Sequence, residues 1–145
     1  MDDNRGIVVR QLELYLLQHS QQQADEAHCR LFGLKPQVFT SWLTVLANLR
    51  NMCCHHARVW NRVFMLNPAE PRKTANAWID DSKVDKKRIY YRLCIIRYFL
   101  ASVSPDNNFN EKLSGLLACF PSIDIAAMGF SRDWENEDLW KQDQP

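Results

Sequence analysis

The chain has 145 residues, of which 46% are hydrophobic, and its formal net charge at neutral pH is only +1. This length suits one domain with a single core, so we expect residues 1–145 to form one domain. Only four glycines and few alternating apolar and polar runs argue against a β-rich fold. No apolar run approaches the roughly 20 residues that span a bilayer, so we expect no membrane association.

The first half of the sequence predicts three helices. Residues 7–22 show apolar residues at helical spacing, and residues 24–32 predict a brief helix that stops at Gly33. A long helix is expected from Pro36 to about Phe64. Its buried stripe is predicted from apolar residues three or four positions apart, at Phe39, Trp42, Leu46, Leu49 and Cys53.

The most informative segment of this helix is residues 49–61, which read Leu-Arg-Asn-Met-Cys-Cys-His-His-Ala-Arg-Val-Trp-Asn. On a continuous helix, steps of four, three and four residues would give one shared face to Asn51, His55, Arg58 and Arg62. Arg50 and His55 would diverge by about 140°, which disfavours a contact between them within one helix. A permanent cation beside imidazoles suits metal-free phosphodiester cleavage. A solvated polar face is the simpler interpretation of the same residues.

The second half predicts two more helices and a tail. Asn67–Pro71 breaks the chain, and a polar loop follows to Asp85, with Asp81 or Ser82 as the expected cap of the next helix. Helices are predicted at residues 86–103 and 109–120, which gives an all-α fold of about four to six helices. In the first of these, arginines alternate with Tyr90, Tyr91 and Tyr98. We favour core packing for these tyrosines over base stacking.

The charge is unevenly distributed along the chain. Residues 50–97 contain eleven Lys or Arg and four Asp or Glu, a net charge of +7, whereas the remainder carries −6. A basic middle is what a polyanion-binding surface requires, although solvated helix faces produce such clusters too. The expected RNA-binding residues are Arg58, Arg62, Lys86, Lys87 and Arg88.

Five cysteines, an odd number without a secretory leader, predict free and buried thiols in a reducing cytoplasm. The run Cys53-Cys54-His55-His56 does not predict zinc. Successive side chains on a helix point about 100° apart, so four neighbours cannot surround one ion. We therefore expect no metal ion and no other cofactor.

The motif at residues 49–61 resembles the Arg-Asn-x-x-x-His motif of HEPN ribonucleases. More narrowly, it resembles the LRNxCAHHxRxWN element of the Abi (AbiD/AbiF-like) phage-resistance proteins. Three further segments resemble that family in the same order: Leu31–Leu34 with Ser41–Leu43, then Tyr90–Leu93, then Ala127–Phe130 with Trp134 and Trp140. The resemblance covers about residues 28–140 and corresponds to the C-terminal part of Abi proteins.

This resemblance implies a HEPN-like helical bundle, commonly dimeric, that cleaves RNA without a metal in abortive infection or as a toxin. Carried over by position, Arg50 and His55 are the catalytic pair. Asn51 then has an orienting role in the site, and His56 and Arg58 have supporting roles. The implied partners are RNA, a second copy of the chain and an RNA or protein antitoxin.

Family members carry a longer N-terminal helical region than the roughly 30 residues that precede Leu31 here. The alternative interpretation is therefore a shortened relative that serves as a non-catalytic RNA-binding or regulatory module. A purely structural helical adaptor is the third interpretation.

Overall fold

The computed structural model of the protein describes residues 24–141, and this part of the chain folds into α-helices and loops without a β-strand. Two 3-10 turns, Asp81–Lys83 and Trp134–Asn136, lie between the helices. The five helices are α1 Ala24–Phe32, α2 Pro36–Cys54, α3 Ile89–Val103, α4 Phe109–Cys119 and α5 Asp138–Lys141. The predicted all-α class and the predicted number of helices are confirmed. The helix predicted at residues 7–22 lies outside the described residues.

Gly33 ends α1 as predicted. Its φ is +60°, and the backbone N–H of Leu34 donates to the carbonyl of Cys29 at 3.1 Å, which is the reversal that a left-handed residue allows after a helix. A Cβ at this position would lie 2.4 Å from the Cβ of Ala75, so glycine is also required by close packing. Pro36 then occupies the first turn of α2.

Helix α3 is the centre of the core and packs against α1, α2 and α5. The side chains of Tyr90, Tyr91 and Tyr98 are fully buried in it. The hydroxyl of Tyr98 donates to the carbonyl of Phe32 and accepts from the N–H of Ala75 at 3.1 Å. The preference for packing over base stacking is confirmed, because these rings are inaccessible to a nucleotide.

A second aromatic cluster fastens the end of the chain to α3. The indole N–H of Trp140 donates to the Tyr90 hydroxyl at 3.0 Å, and the Tyr90 ring lies 4.5 Å from that of Phe130. Trp134 meets the ring of Trp140 edge to face at 5.1 Å. The segment after α4 therefore covers the first turns of α3, as a closing segment is expected to do.

Two predicted details of the α3 region are wrong. The helix begins at Ile89 instead of residue 86, because residues 86–88 form a turn stabilised by the bond from the Arg88 N–H to the Asp85 carbonyl at 3.1 Å. Neither Asp81 nor Ser82 caps it. Instead, Asp80 caps the 3-10 turn by accepting from the Ser82 N–H at 3.1 Å.

The prediction of buried thiols holds for Cys94 and is wrong for Cys53, Cys54 and Cys119, which are exposed. Within residues 24–141, no group of His, Cys, Asp and Glu side chains is arranged to hold a metal ion. None of the described helices has the length and apolar character needed to cross a membrane.

Candidate functional site

Helix α2 ends at Cys54, ten residues before the predicted end at Phe64. His55 is the cap, and its N–H donates to the Asn51 carbonyl at 3.0 Å. His56 follows with a φ of +54°, the one positive value among the described non-glycine residues. Its N–H donates to Cys53 O at 3.1 Å, and the N–H of residue 57 donates to Met52 O at 2.9 Å. These two bonds define a Schellman motif, with histidine where glycine is usual.

This early end corrects the predicted polar face. Asn51 and His55 remain in helical register, but Arg58 and Arg62 lie beyond the helix in irregular chain. The four side chains therefore do not share one helix face, and the prediction that they do is wrong. A signal for the stop exists in the sequence: the buried stripe through Val45, Leu49 and Met52 requires an apolar residue at position 56, where histidine stands.

The proposed catalytic side chains lie at the carboxyl end of α2. Arg50, His55 and His56 are exposed, and Asn51 is half-buried. Viewed along the helix axis, Arg50 is rotated by about 100° from the buried Leu49. His55 is rotated by about 120° from Leu49 in the opposite direction. Within the described residues, no hydrogen bond joins Arg50 to His55. One chain thus presents the two groups on opposite flanks of the helix.

The predicted RNA-binding residues fall on two loops that the fold brings together. The loop after α2 and the turn before α3 are joined by the bond from the Phe64 N–H to the Lys87 carbonyl at 2.8 Å. Beside it, the guanidinium of Arg88 donates to the Asn61 side chain at 3.2 Å and lies 3.6 Å from Asp85. Sequence positions more than twenty residues apart therefore form one basic surface.

The remaining basic side chains of this surface differ in their surroundings. Arg58 and Arg62 are exposed, and the guanidinium of Arg58 lies 6.0 Å from the centre of the Trp60 ring. Lys87 is exposed as well, whereas the ammonium of Lys86 is paired with the Glu70 carboxylate. Lys86 is thus the least available of the predicted RNA-binding cations.

Arg92 is a structural residue beside the candidate site that the sequence reasoning missed. Its side chain is fully buried, and its guanidinium donates to the carbonyls of Leu66 at 2.7 Å and Lys86 at 3.0 Å. Burial lowers the pKa of Arg92 to about 10, so it remains a cation at neutral pH. The available signal was an arginine within the most apolar helix, four positions after Arg88. Arg92 fixes the loop after α2 to the turn before α3.

An open cleft of about 460 Å³ lies beside this turn. Its walls carry both signs of charge, with Glu70, Asp81 and Asp85 opposite Lys86 and Lys87. Burial raises the pKa of Asp81, which accepts hydrogen bonds from the Tyr91 hydroxyl and the Trp78 indole N–H at 2.6 and 3.0 Å. Asp81 therefore acts as a structural acceptor at the base of the cleft.

Comparison with protein families finds a match between residues 11–61 and the model of the Abi-like protein family. The match includes the whole motif at residues 49–61 and supports a relationship of this segment to Abi proteins. The resemblances proposed for Tyr90–Leu93 and for the closing segment lie outside the matched residues. No curated protein and no solved structure matches the chain.

Proposed function

We propose that the protein is a metal-independent endoribonuclease of the HEPN type that acts in abortive infection of phage-infected cells, or as a toxin. The supporting observation is that the Abi-like match includes an Arg-Asn-x-x-x-His motif whose arginine and histidine are both solvent-exposed at one end of α2. Their exposure leaves both groups accessible to a phosphodiester.

The reaction requires few groups. The RNA 2′-hydroxyl loses a proton and attacks the adjacent phosphorus, the 5′-oxygen leaves with a proton, and a 2′,3′-cyclic phosphate forms. His55 would move one of these protons as general base or acid. Arg50 would donate two hydrogen bonds to the phosphoryl oxygens as negative charge develops on them. His56 is the second candidate proton carrier, and Asn51 would orient the substrate.

A second copy of the chain would complete the site. Because Arg50 and His55 project from opposite flanks of α2, one protomer cannot readily place both on one phosphate. Two α2 ends that meet near a two-fold axis would offer two arginines and four histidines to a single substrate. We therefore propose a homodimer as the active species. An RNA or protein antitoxin would act by covering these α2 ends.

The test is cleavage of single-stranded RNA in EDTA by the wild type, His55→Ala and Arg50→Ala. We expect 2′,3′-cyclic phosphate ends from the wild type and losses of at least about a hundredfold in the variants, since general acid–base catalysis and a hydrogen-bond donor to the transition state each contribute that much. Lys35→Ala is the matched control, because it removes an exposed cation at the opposite end of α2. Full activity of His55→Ala would remove His55 from the mechanism.

The second candidate function is RNA binding without turnover, in a regulatory module. The divergence of Arg50 and His55 on α2 favours it, since the basic surface would bind RNA even if no complete catalytic site formed. Salt-dependent RNA binding combined with no cleavage under any condition supports this function. Cleavage that Arg50→Ala abolishes decides against it.

A further inference from the structure

Trp60 differs from the other tryptophans of the chain in its exposure. Its side chain is 42% exposed, whereas Trp42, Trp134 and Trp140 are buried and Trp78 is half-buried. Within the described residues, Trp60 makes no ring–ring contact and its indole N–H donates no hydrogen bond. A large aromatic side chain is thus partly presented to solvent five residues after His55.

The loop that carries Trp60 is fixed on the carboxyl side of this residue. The next residue, Asn61, accepts a hydrogen bond from the Arg88 side chain at 3.2 Å. Phe64 is buried, bonded through its N–H to Lys87, and stacked against the Arg92 guanidinium at 3.7 Å. The ring is therefore held on an anchored turn, which reduces the entropy lost when a ligand packs against it.

The charges around Trp60 indicate the chemistry of that ligand. Residues 50–66 contain three arginines and no Asp or Glu. Arg58 lies beside the indole, 6.0 Å from the ring centre, and Arg88 donates to the side chain of the next residue, Asn61, at 3.2 Å. The Arg88 guanidinium also lies 3.6 Å from the Asp85 carboxylate. An aromatic face beside a cation, on a segment without carboxylates, suits a ligand with flat rings and negative charges.

We propose that Trp60 is a stacking platform for one unpaired base of single-stranded RNA, and that Arg58 binds the phosphate next to that base. This inference rests on the proposed function and names how its substrate is held. The Cα atoms of Trp60 and His56 are at most about 14 Å apart, because each of the four steps along the chain from one to the other spans at most about 3.6 Å. One short RNA segment can therefore contact both the platform and the end of α2. Stacking tolerates any base, so the platform holds RNA without reading its sequence.

Val63, Met65 and Leu66 are the main reason to consider a protein partner instead, since they are exposed apolar residues of the same loop. A protein that docks on this loop would cover these three side chains together with Trp60. A base would stack on the indole alone. Val63→Ser is therefore the matched control for Trp60→Leu, because both reduce exposed apolar area and only the second removes an aromatic face.

The experiment compares the binding of two RNAs to the full chain by titration. One is a single-stranded oligouridine of about twelve nucleotides, a length typical of single-strand binding sites. The other has the same length with abasic ribose in place of several bases. We expect the wild type to bind the abasic RNA about tenfold more weakly, and Trp60→Leu to bind both RNAs equally and about tenfold more weakly than the wild type binds oligouridine. Trp60→Phe retains most of the preference, and Val63→Ser retains all of it.

The outcomes separate this inference from the proposed function. If the wild type binds the two RNAs with equal affinity, the stacking platform is refuted. This holds even if the protein binds and cleaves RNA, and it does not depend on the variants. An equal loss in Val63→Ser and Trp60→Leu also overturns it, because the aromatic face would then contribute no more to RNA binding than any other exposed apolar area of the loop. No RNA binding at all refutes the proposed function and the platform with it. Because Trp60 is the most exposed indole of the chain, quenching of tryptophan fluorescence by oligouridine, abolished in Trp60→Phe, reports the contact directly.

Discussion

The guanidinium of Arg92 stacks on the ring of Phe64, with its central carbon 3.7 Å from the ring centre. Helix α3 thereby holds the loop that follows α2 at the point where the chain leaves the candidate site. The contact combines a cation–π attraction with hydrogen bonds to the backbone carbonyls of Leu66, Lys86 and Arg88, so it depends on the flat shape of arginine and not only on its charge.

Arg92→Lys is therefore expected to lower the free energy of unfolding by about 1–3 kcal/mol, because an ammonium cannot serve these carbonyls and the ring at once. Arg88→Lys is the matched control and should change it by less than about 1 kcal/mol, since Arg88 is half-buried and makes one side-chain bond to Asn61. Urea unfolding measures both values. Equal effects of the two substitutions would contradict the role assigned to Arg92.

His56→Gly is expected to raise the free energy of unfolding by roughly 0.5–1 kcal/mol, because glycine adopts a positive φ without the steric penalty that histidine has. His56→Val should lower it, since a β-branched residue tolerates this conformation least. Thermal unfolding compares the three proteins. If His56→Gly were less stable than the wild type, the imidazole would have to make a stabilising contact that offsets its backbone strain.

Two glycines give opposite predictions for the same substitution. Gly33→Ala should destabilise the fold by more than about 1 kcal/mol, because its φ is positive and the new Cβ would lie 2.4 Å from the Cβ of Ala75. Gly115→Ala lies within α4 with nothing inside 4 Å of its Cβ, and should stabilise by about 0.5–1 kcal/mol. Chemical denaturation measures the free energy of unfolding of both variants. Gly115→Ala serves as the reference against which the effect of Gly33→Ala at the end of α1 is judged.

The half-buried carboxyl of Glu137 makes stability dependent on pH. Burial raises the pKa of Glu137 above its ordinary value of 4.5 and outweighs the hydrogen bonds with the Ser131 hydroxyl, at 3.2 Å, and the Tyr90 side chain, which lower it. Because the folded state holds this proton more tightly, the stabilising contribution is fully present below pH 4.5 and is lost as the pH rises through the raised value. The wild type should therefore lose stability relative to Glu137→Gln as the pH rises toward neutral. A difference between the two that is independent of pH would refute the prediction.

Two adjacent lysines should contribute unequally to RNA binding. Lys87→Ala is expected to reduce the slope of log affinity against log salt by about one, since an exposed cation that contacts a phosphate releases one counterion. Lys86→Ala should reduce it less, because its ammonium is already paired with Glu70. Lys112→Ala, an exposed cation on α4, serves as the control and should leave the slope unchanged. Equal slopes for all three variants would place the RNA elsewhere.

The sequence predicts the fold best where one residue type dictates the backbone. Gly33 and Pro36 mark the end of α1 and the start of α2, because glycine permits a positive φ and proline suits a first helical turn. The end of α2 was missed because histidine takes the glycine position there, at a conformational penalty that no composition rule reveals. Arg92 was missed for a different reason: its partners are the carbonyls of Leu66 and Lys86, and backbone acceptors leave no pattern in a sequence.

For the candidate site, the sequence locates the residues but not their arrangement. Arg50 and His55 are exposed at the end of α2, and their divergence follows from helix geometry alone. The approach of Arg88 to Asn61 depends on tertiary contacts between segments that are far apart in the chain, which no local spacing encodes.

The exposed thiols at the end of α2 give the protein a chemical label beside its candidate site. Cys53 and Cys54 immediately precede His55, and their exposure leaves them open to alkylating reagents, while Cys94 in the core is shielded. A ligand bound at the end of α2 would slow alkylation of this pair and leave Cys119 on α4 as an internal reference. Occupancy of the site can therefore be followed by mass spectrometry on the native chain, without introducing a tag or a mutation.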